Sequence, residues 1–507
     1  MKPRIKLLFC TLLITVFAAN ASAQRHRPPG PRDIEPQYHT QSGTRELPPR
    51  YRAPAGPNPV ARLAYWNERA LSAIAVDHAP PVQGGTSVAA EQLGPTRTSR
   101  VLAIVHIAIY DALNAIVKRY PGYSGPLPAF ADSSPDAAIA QAAHDTLVAL
   151  YPRQADRIDA WLKADLARLP AGRAKLNGID IGRRSAAAIL ALRENDGAHY
   201  DEPVVGVDYE VGNEPGVWRP DPVSRIQIAF GAFWRRLTPF VLRSPTMFRS
   251  PPPPALGSDD YARAFNEVKQ LGGDGVRTPT RRTAEQTVIG IYWAYDNTAW
   301  IGTPPRLYNQ IAVQLALKRT CDPLELARVL ALVNVAIADT TMSVWDTKYH
   351  YDFWRPVTAI REASPGSSPT GRGDGNPDTR GDPTWTPLGS PASNLIGPNF
   401  TPPFPAYTSG HAALGGAMFQ TLRRLYGDNI AFTFVSDEFN GITRDNRGRV
   451  RPRIARSFSS LSQAEEENGQ SRIYLGIHWQ FDKTEGRVAA HRIADYVFKR
   501  GLVRPSN

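Results

Sequence analysis

Apolar residues recur at three- and four-residue spacing along most of this chain, and the strict alternation that marks a half-buried strand is scarce. The pattern predicts helices over 60–75, 97–118, 135–151, 153–168 and 175–195. It resumes over 258–271, 281–296, 305–318, 323–346, 409–426, 461–475 and 482–499. Tyr120-Pro121-Gly122 closes the second of these, Asp136 is placed as the cap of the third, and Pro152 ends it. The fold class read from this pattern is all-α, built of helical bundles. A less regular region, 200–257, finishes in Ser250 and four consecutive prolines, a composition that stiffens a connector. That region divides an N-terminal helical half, 59–250, from a C-terminal helical domain, 258–500. Residues 363–400, dense in Gly, Pro, Asp and Ser, read as one long loop.

The two ends of the pattern differ from its middle. Lys2, Arg4 and Lys6 precede an apolar run, Leu7–Ala19, and Ala21-Ser22-Ala23 has the small residues of a cleavage site. Residues 1–23 therefore read as a signal peptide, cut before Gln24, and the run falls short of the roughly 20 residues that a spanning helix needs. The chain is then expected to be exported, to the periplasm or beyond. Residues 24–58, rich in Pro, Arg and Gln, read as an extended arm that could be tied down on the surface. No other stretch reads as apolar and uncharged enough to span a bilayer, so the mature protein is expected to carry no integral membrane segment.

Charge and cysteines narrow the chemistry. The formal net charge is +12 over 507 residues, and the chain stays basic once the three leader cations are removed. Lys and Arg are scattered, and no nucleic-acid-binding module is present, so the surplus suits an anionic small substrate better than nucleic acid. Cys10 is lost with the leader. Cys321 is left alone, which excludes an intramolecular disulfide or thiolate metal site and reads as a buried or capping residue.

Three blocks carry candidate chemistry. Lys348 and Arg355 are seven residues apart. If the helix from Pro323 continues to a stop at Pro356, they share one face about 10 Å apart along the axis and can converge on one anion. Ser409-Gly410-His411 opens an apolar helix. Ser409 is placed as the N-cap, the helix start favours an anion, and His411 in the first turn could donate or accept a proton. In the third block, Arg472 adds a cation, and His478 and Asp482 are four apart. On a helix the carboxylate would hold one imidazole nitrogen and present the other, to serve as nucleophile or as metal ligand. Each block alone suits an ordinary surface or cap. Together they supply a positive cradle, a helix N-terminus and two histidines of differing role.

In this combination the sequence resembles the signature shared by vanadium-dependent haloperoxidases and the type-2 phosphatidic acid phosphatase superfamily. Trp293-Ala-Tyr-Asp296, Ile301-Gly-Thr-Pro-Pro-Arg306 and Phe404-Pro-Ala-Tyr are similar to the chloroperoxidase group within it, and the resemblance is good over about 280–490. Thr408 departs from the family's usual proline, which loosens the expected turn and removes no catalytic group.

The resemblance implies two four-helix bundles with the site in the C-terminal one. It implies that Lys348, Arg355, Ser409, the Gly410 amide and Arg472 bind vanadate oxygens, and that His478 bonds vanadium. His411 would act as acid–base partner, with Lys348 polarising the bound peroxide. Asp296 would pair with Arg472, and Trp345 and Phe404 would line a halide pocket. The implied activity is oxidation of a halide by hydrogen peroxide to hypohalous acid, with vanadate as cofactor and a small organic acceptor. The alternative is an exported acid phosphatase in which His478 forms a phosphohistidine with a phosphate monoester. The residues named serve either.

Overall fold

The computed structural model describes residues 38–41, 43–80 and 91–502; the expected signal peptide lies outside the described residues. Among the described residues, thirteen α-helices carry the fold. The N-terminal five are α1 (Pro59–Asp77), α2 (Gly94–Val117), α3 (Pro135–Leu150), α4 (Ala155–Leu166) and α5 (Arg173–Arg193). Then come α6 (Asp259–Leu271), α7 (Ala284–Tyr292), α8 (Pro304–Ala316) and α9 (Pro323–Tyr351). The last four are α10 (Pro356–Glu362), α11 (Gly410–Tyr426), α12 (Leu461–Tyr474) and α13 (Gln480–Arg500).

Helices α1, α2, α3 and α5 pack together as one bundle, and α9, α11, α12 and α13 as a second. Helix α9 also lies along α2, so a single apolar core runs through both bundles. Its 29 residues are buried almost from end to end, as an all-round apolar helix at the centre of a large core must be. Helices α2 and α9 are, against the sequence expectation, long and apolar enough to cross a membrane by length and composition. Both are almost wholly buried among other helices, and their apolarity serves the core.

Local chemistry explains most helix ends. Asn58, Ser134, Ser258, Asp322, Ser409 and Ser460 each accept a backbone N–H of the first turn, relieving donors that the helix leaves unpaired. Asp136 is not the cap of α3. Ser134 is, and Asp136 turns back to hold the Asn58 amide (2.8 Å) and the Arg62 guanidinium. Cys321 is exposed and precedes the capping Asp322, so it neither caps nor packs.

The strand content is small and is not foreshadowed by the apolar pattern. β1 (His39–Thr40) pairs antiparallel with β2 (Leu395–Ile396), which fastens the described part of the arm to the long loop. β3 (Phe432–Asn440) and β4 (Arg453–Phe458) form an antiparallel hairpin between α11 and α12. Arg50 of the arm reaches that hairpin, bonding Asp437 (2.7 Å) and lying 4.8 Å over the Phe434 ring.

Candidate active site

Chain terminations, rather than helix faces, bring the three blocks together. Helix α9 ends at Tyr351, and Asp352 takes the left-handed conformation (φ 47°) with its N–H on the Lys348 carbonyl. Lys348 and Arg355 therefore do not share one helix. Pro356 starts α10 instead of stopping α9, and Arg355 is its N-cap residue. The expected helical His478/Asp482 pair is also corrected. Helix α12 ends at Tyr474 and Gly476 turns the chain (φ 74°), where a Cβ would meet the Gly272 carbonyl at 2.5 Å. His478 thus sits before α13, and Asp482 in the first turn of α13 reaches back to it. Oδ2 of Asp482 accepts from His478 Nδ1 (2.7 Å) and from the Trp479 amide (3.1 Å).

The expected roles of α11 and Asp296 have their geometry. Ser409 is the N-cap, and its Oγ accepts from the Ala412 amide (3.3 Å), committing a lone pair and not the hydroxyl hydrogen. The Gly410 amide is at the first helical position, where no intrahelical acceptor exists. Helix α7 stops at Tyr292, earlier than its apolar pattern suggests, and positive φ at Tyr295 and Asn297 turns Asp296 inward. Both oxygens of Asp296 take the Arg472 Nη2 (2.9 and 2.7 Å), and Ser390 Oγ donates to Oδ2 (2.8 Å). Burial alone would raise the Asp296 carboxyl, but Arg472, His411 and these bonds hold it below its ordinary value.

Gly410, His411, Arg472, His478, Asp296, Trp345 and Phe404 line one cavity of about 720 Å³. Lys348, Arg355, Ser409 and Asp482 are buried behind that lining. Lys348 Nζ bonds the carbonyls of Pro405 and Ala406 (2.9 Å each) and Thr408 (2.5 Å). Burial and then Arg355 push its pKa well below the usual lysine value. Three carbonyls nevertheless need three N–H donors, so this geometry serves the ammonium form. Lys348 gives the site its charge and braces the turn before Ser409.

Arg355 donates Nε to the Phe404 carbonyl (2.8 Å) and Nη1 to the Ile477 carbonyl (2.9 Å) and His478 Nε2 (3.0 Å). Burial lowers its pKa to about 9, against the pull of Asp482. His478 must then carry its proton on Nδ1, toward Asp482, and offer a lone pair at Nε2. Burial first, then Arg355, Lys348 and Arg472, keep this imidazole neutral, its pKa far below the ordinary value. His411 is the opposite tautomer. Its Nε2 bonds the Ala294 carbonyl, which can only accept, so Nδ1 is the free base. Burial and the Arg472 charge bring its pKa down to about 4, with Asp296 opposing.

Unpaired donors show what this site fits. Among the described residues, Arg355 Nη2 and Arg472 Nε and Nη1 are buried without a hydrogen-bond partner. Each such group costs roughly 1–3 kcal/mol of lost hydration unless an acceptor reaches it. Among the described residues, Asp296 and Asp482 are the carboxylates that act on Lys348, Arg355 and Arg472, so positive charge is in surplus. A tetrahedral oxyanion supplies the missing acceptors and charge together, and the donor set fits vanadate.

Several contributors carried no signature in the sequence. Phe230 packs on Phe404 (ring centroids 6.1 Å), and its carbonyl accepts from the Trp345 Nε1 (3.1 Å). Trp345 and Phe404 are themselves 5.1 Å apart. Tyr308 Oη (2.9 Å) and Asn468 Nδ2 (2.9 Å) both hold the His411 carbonyl. These residues sit in ordinary apolar or polar contexts, and only the fold brings them to the site.

Comparison with known proteins agrees with this geometry. A family model described as the second helical-bundle domain of vanadium chloroperoxidase matches residues 328–503. The chain is 31% identical to the vanadium chloroperoxidase of Curvularia inaequalis, over 84% of its own length and 79% of that protein. Among solved structures it resembles a bacterial vanadium-dependent iodoperoxidase (TM-score 0.66, 23% identity, 91% of this chain and 99% of that one). It also resembles an apo-type bacterial vanadium-dependent chloroperoxidase (TM-score 0.61, 16% identity, 80% and 94%). The likeness to these two structures is one of fold. With its sequence identity and coverage, the chain belongs to the vanadium chloroperoxidase family.

Proposed function

We propose that this protein is a vanadate-dependent haloperoxidase, an oxidoreductase that uses hydrogen peroxide to convert a halide to hypohalous acid. The observation that carries the reading is the set of unpartnered Arg355 and Arg472 N–H groups beside a neutral His478 Nε2 lone pair. Arg355 and Arg472 would bind the oxygens of vanadate, with the Ser409 hydroxyl and the Gly410 amide as further donors. His478 would bond vanadium through Nε2, giving up the bond it now accepts from Arg355 Nη1. When bound, vanadate supplies a Lewis acid that activates hydrogen peroxide toward a halide.

The chain's own residues do the remainder. His411, neutral and with Nδ1 as its unprotonated nitrogen, would accept a proton from hydrogen peroxide and serve as the acid that gives it back. Lys348, unable to spare an N–H, strengthens the positive field in which negative charge develops. Trp345 and Phe404, with Phe230, give a halide an apolar wall that strips its water. The organic acceptor is halogenated by the product of that site.

The test is halide oxidation by purified protein given orthovanadate, hydrogen peroxide and bromide or iodide, read as triiodide or bromination of a dye. Vanadate-dependent turnover that His478→Ala abolishes is expected. Hydrolysis of an aryl phosphate by vanadate-free protein, without halide oxidation, would instead make the site a phosphatase using His478 as nucleophile.

We also propose that the enzyme is exported, to the periplasm or the medium. The Lys2/Arg4/Lys6 segment, the apolar run and the Ala21-Ser22-Ala23 site support this. Sequencing the N-terminus of the mature protein is expected to give Gln24. An N-terminus retaining residues 1–23 would overturn it.

A further inference from the structure

The cavity that ends on His411, Arg472 and His478 is far larger than peroxide and a halide require. Its volume is about 720 Å³, against about 30 Å³ for a water molecule, and falls within the roughly 300–1,000 Å³ of pockets that enclose organic ligands. Besides the Trp345/Phe404 wall, on which Phe230 packs, its lining includes Ile226, Ile228 and Ala198.

The two ends differ in chemistry. At the inner end arginine N–H groups lack partners. The outer cations are already neutralised. Arg97 pairs with Glu202 and gives Nη2 to the Tyr200 carbonyl (2.7 Å). Arg100 bonds Asp196 (2.7 Å) and the Arg193 carbonyl (2.8 Å). His78, whose pKa burial lowers to about 4, has Nδ1 on the Ile74 carbonyl (2.8 Å) and accepts the Gly94 amide at Nε2 (3.2 Å).

An anionic organic ligand would find no unpaired cation among these three groups, whereas an uncharged ring would bury its faces on Phe230, Ile226 and Ile228. We infer that the outer part of this cavity binds the organic acceptor, an uncharged electron-rich aromatic of the phenol class, so that halogenation occurs inside the protein. The inference rests on the haloperoxidase reading for its electrophile. The step is HOX + ArH → ArX + H2O. The ring C–H and the O–X bond break and C–X forms. The halogen is reduced from the +1 to the −1 state, the ring carbon is oxidised by two electrons, and the ring proton leaves with the hydroxide as water.

The probe is 1-naphthol, uncharged at neutral pH, in two arms. Calorimetry on vanadate-free protein is expected to show saturable binding, weakened about tenfold or more by Ile228→Trp, and likewise by Ala198→Phe, which fills the cavity from another side. In the vanadate-loaded enzyme with bromide and peroxide, the ratio of 2-bromo to 4-bromo product is expected to differ from that given by reagent hypobromous acid. In both variants it should move to the reagent ratio. Absence of binding, the reagent ratio from the unsubstituted enzyme, or folded variants that keep its affinity and ratio would overturn the inference. Saturable binding without any halide oxidation would sink the haloperoxidase reading, and with it halogenation inside the cavity, while leaving the aromatic site standing.

Discussion

Arg62 and Arg355 are both fully buried arginines, and their surroundings are opposite. Arg62, in α1, gives Nε to Asp165 (3.0 Å), Nη1 to Asp136 and Nη2 to the Gly56 carbonyl (3.4 Å), and Trp66 Nε1 adds a bond to Asp165 (2.8 Å). Two carboxylates and a carbonyl leave it nothing to offer a ligand. Among the described residues Arg355 bonds no carboxylate and keeps Nη2 unpaired, and it stands beside Lys348 and Arg472. A buried ion pair closed on itself serves the fold. A buried cation with unspent donors among like charges stores unfavourable energy that an anion relieves.

The largest effect that sharpens this contrast is on stability. Arg62→Ala strands two buried carboxylates and is expected to lower unfolding free energy by about 3–5 kcal/mol, with vanadate affinity of the folded protein unchanged. Denaturant titration and vanadate binding measure the two halves. Arg355→Met should tip the balance the other way. Vanadate affinity falls about 10²–10³-fold, and stability falls by less than in Arg62→Ala, because the loss of the bonds to the Phe404 and Ile477 carbonyls is offset by removing a like-charge neighbour of Lys348. A loss of stability comparable to that of Arg62→Ala would break the comparison.

Next in size, orthovanadate at a hundredfold excess over its Kd should add about 2.7 kcal/mol to unfolding free energy. Calorimetry should show this gain to be lost in Arg355→Met at the same concentration.

A pH effect follows from His411. The unfolded imidazole takes a proton near pH 6.5 and the folded one only near pH 4, so this group's contribution is complete above 6.5 and lost as pH falls toward 4. Urea titrations of vanadate-free protein should show the unfolding free energy falling less steeply over that window in His411→Gln. Identical slopes would contradict the buried, Arg472-facing environment. The smallest effect belongs to Asn468→Ala, which removes one of two clamps on the His411 carbonyl. A loss of about 1 kcal/mol in stability is expected, with turnover reduced more than vanadate affinity.

The sequence was most legible where periodicity or punctuation acts locally. The Ser409 cap, the His411 first turn and the Arg472–Asp296 pair match their expected geometry, since capping chemistry is local and the pair came with a family motif. The placement of Lys348 and Arg355 on one helix failed because Asp352 takes a left-handed turn, which a polar residue tolerates and apolar periodicity does not reveal. The Pro356 error has a related cause, since proline both ends helices and begins them. β3 and β4 leave little trace in the sequence because their pairing depends on partners some twenty residues apart and a bulge interrupts the register. Phe230, Tyr308, Ser390 and Asn468 belong to the site only through long-range packing.

Vanadium content by mass spectrometry after orthovanadate loading and dialysis, compared between the unsubstituted protein and Arg355→Met and His478→Ala, bears most directly on the anion site. The account predicts one vanadium per chain in the first and little or none in either variant, with both variants folded by circular dichroism. Equal vanadium retained in folded His478→Ala and Arg355→Met would mean that the ion is held elsewhere.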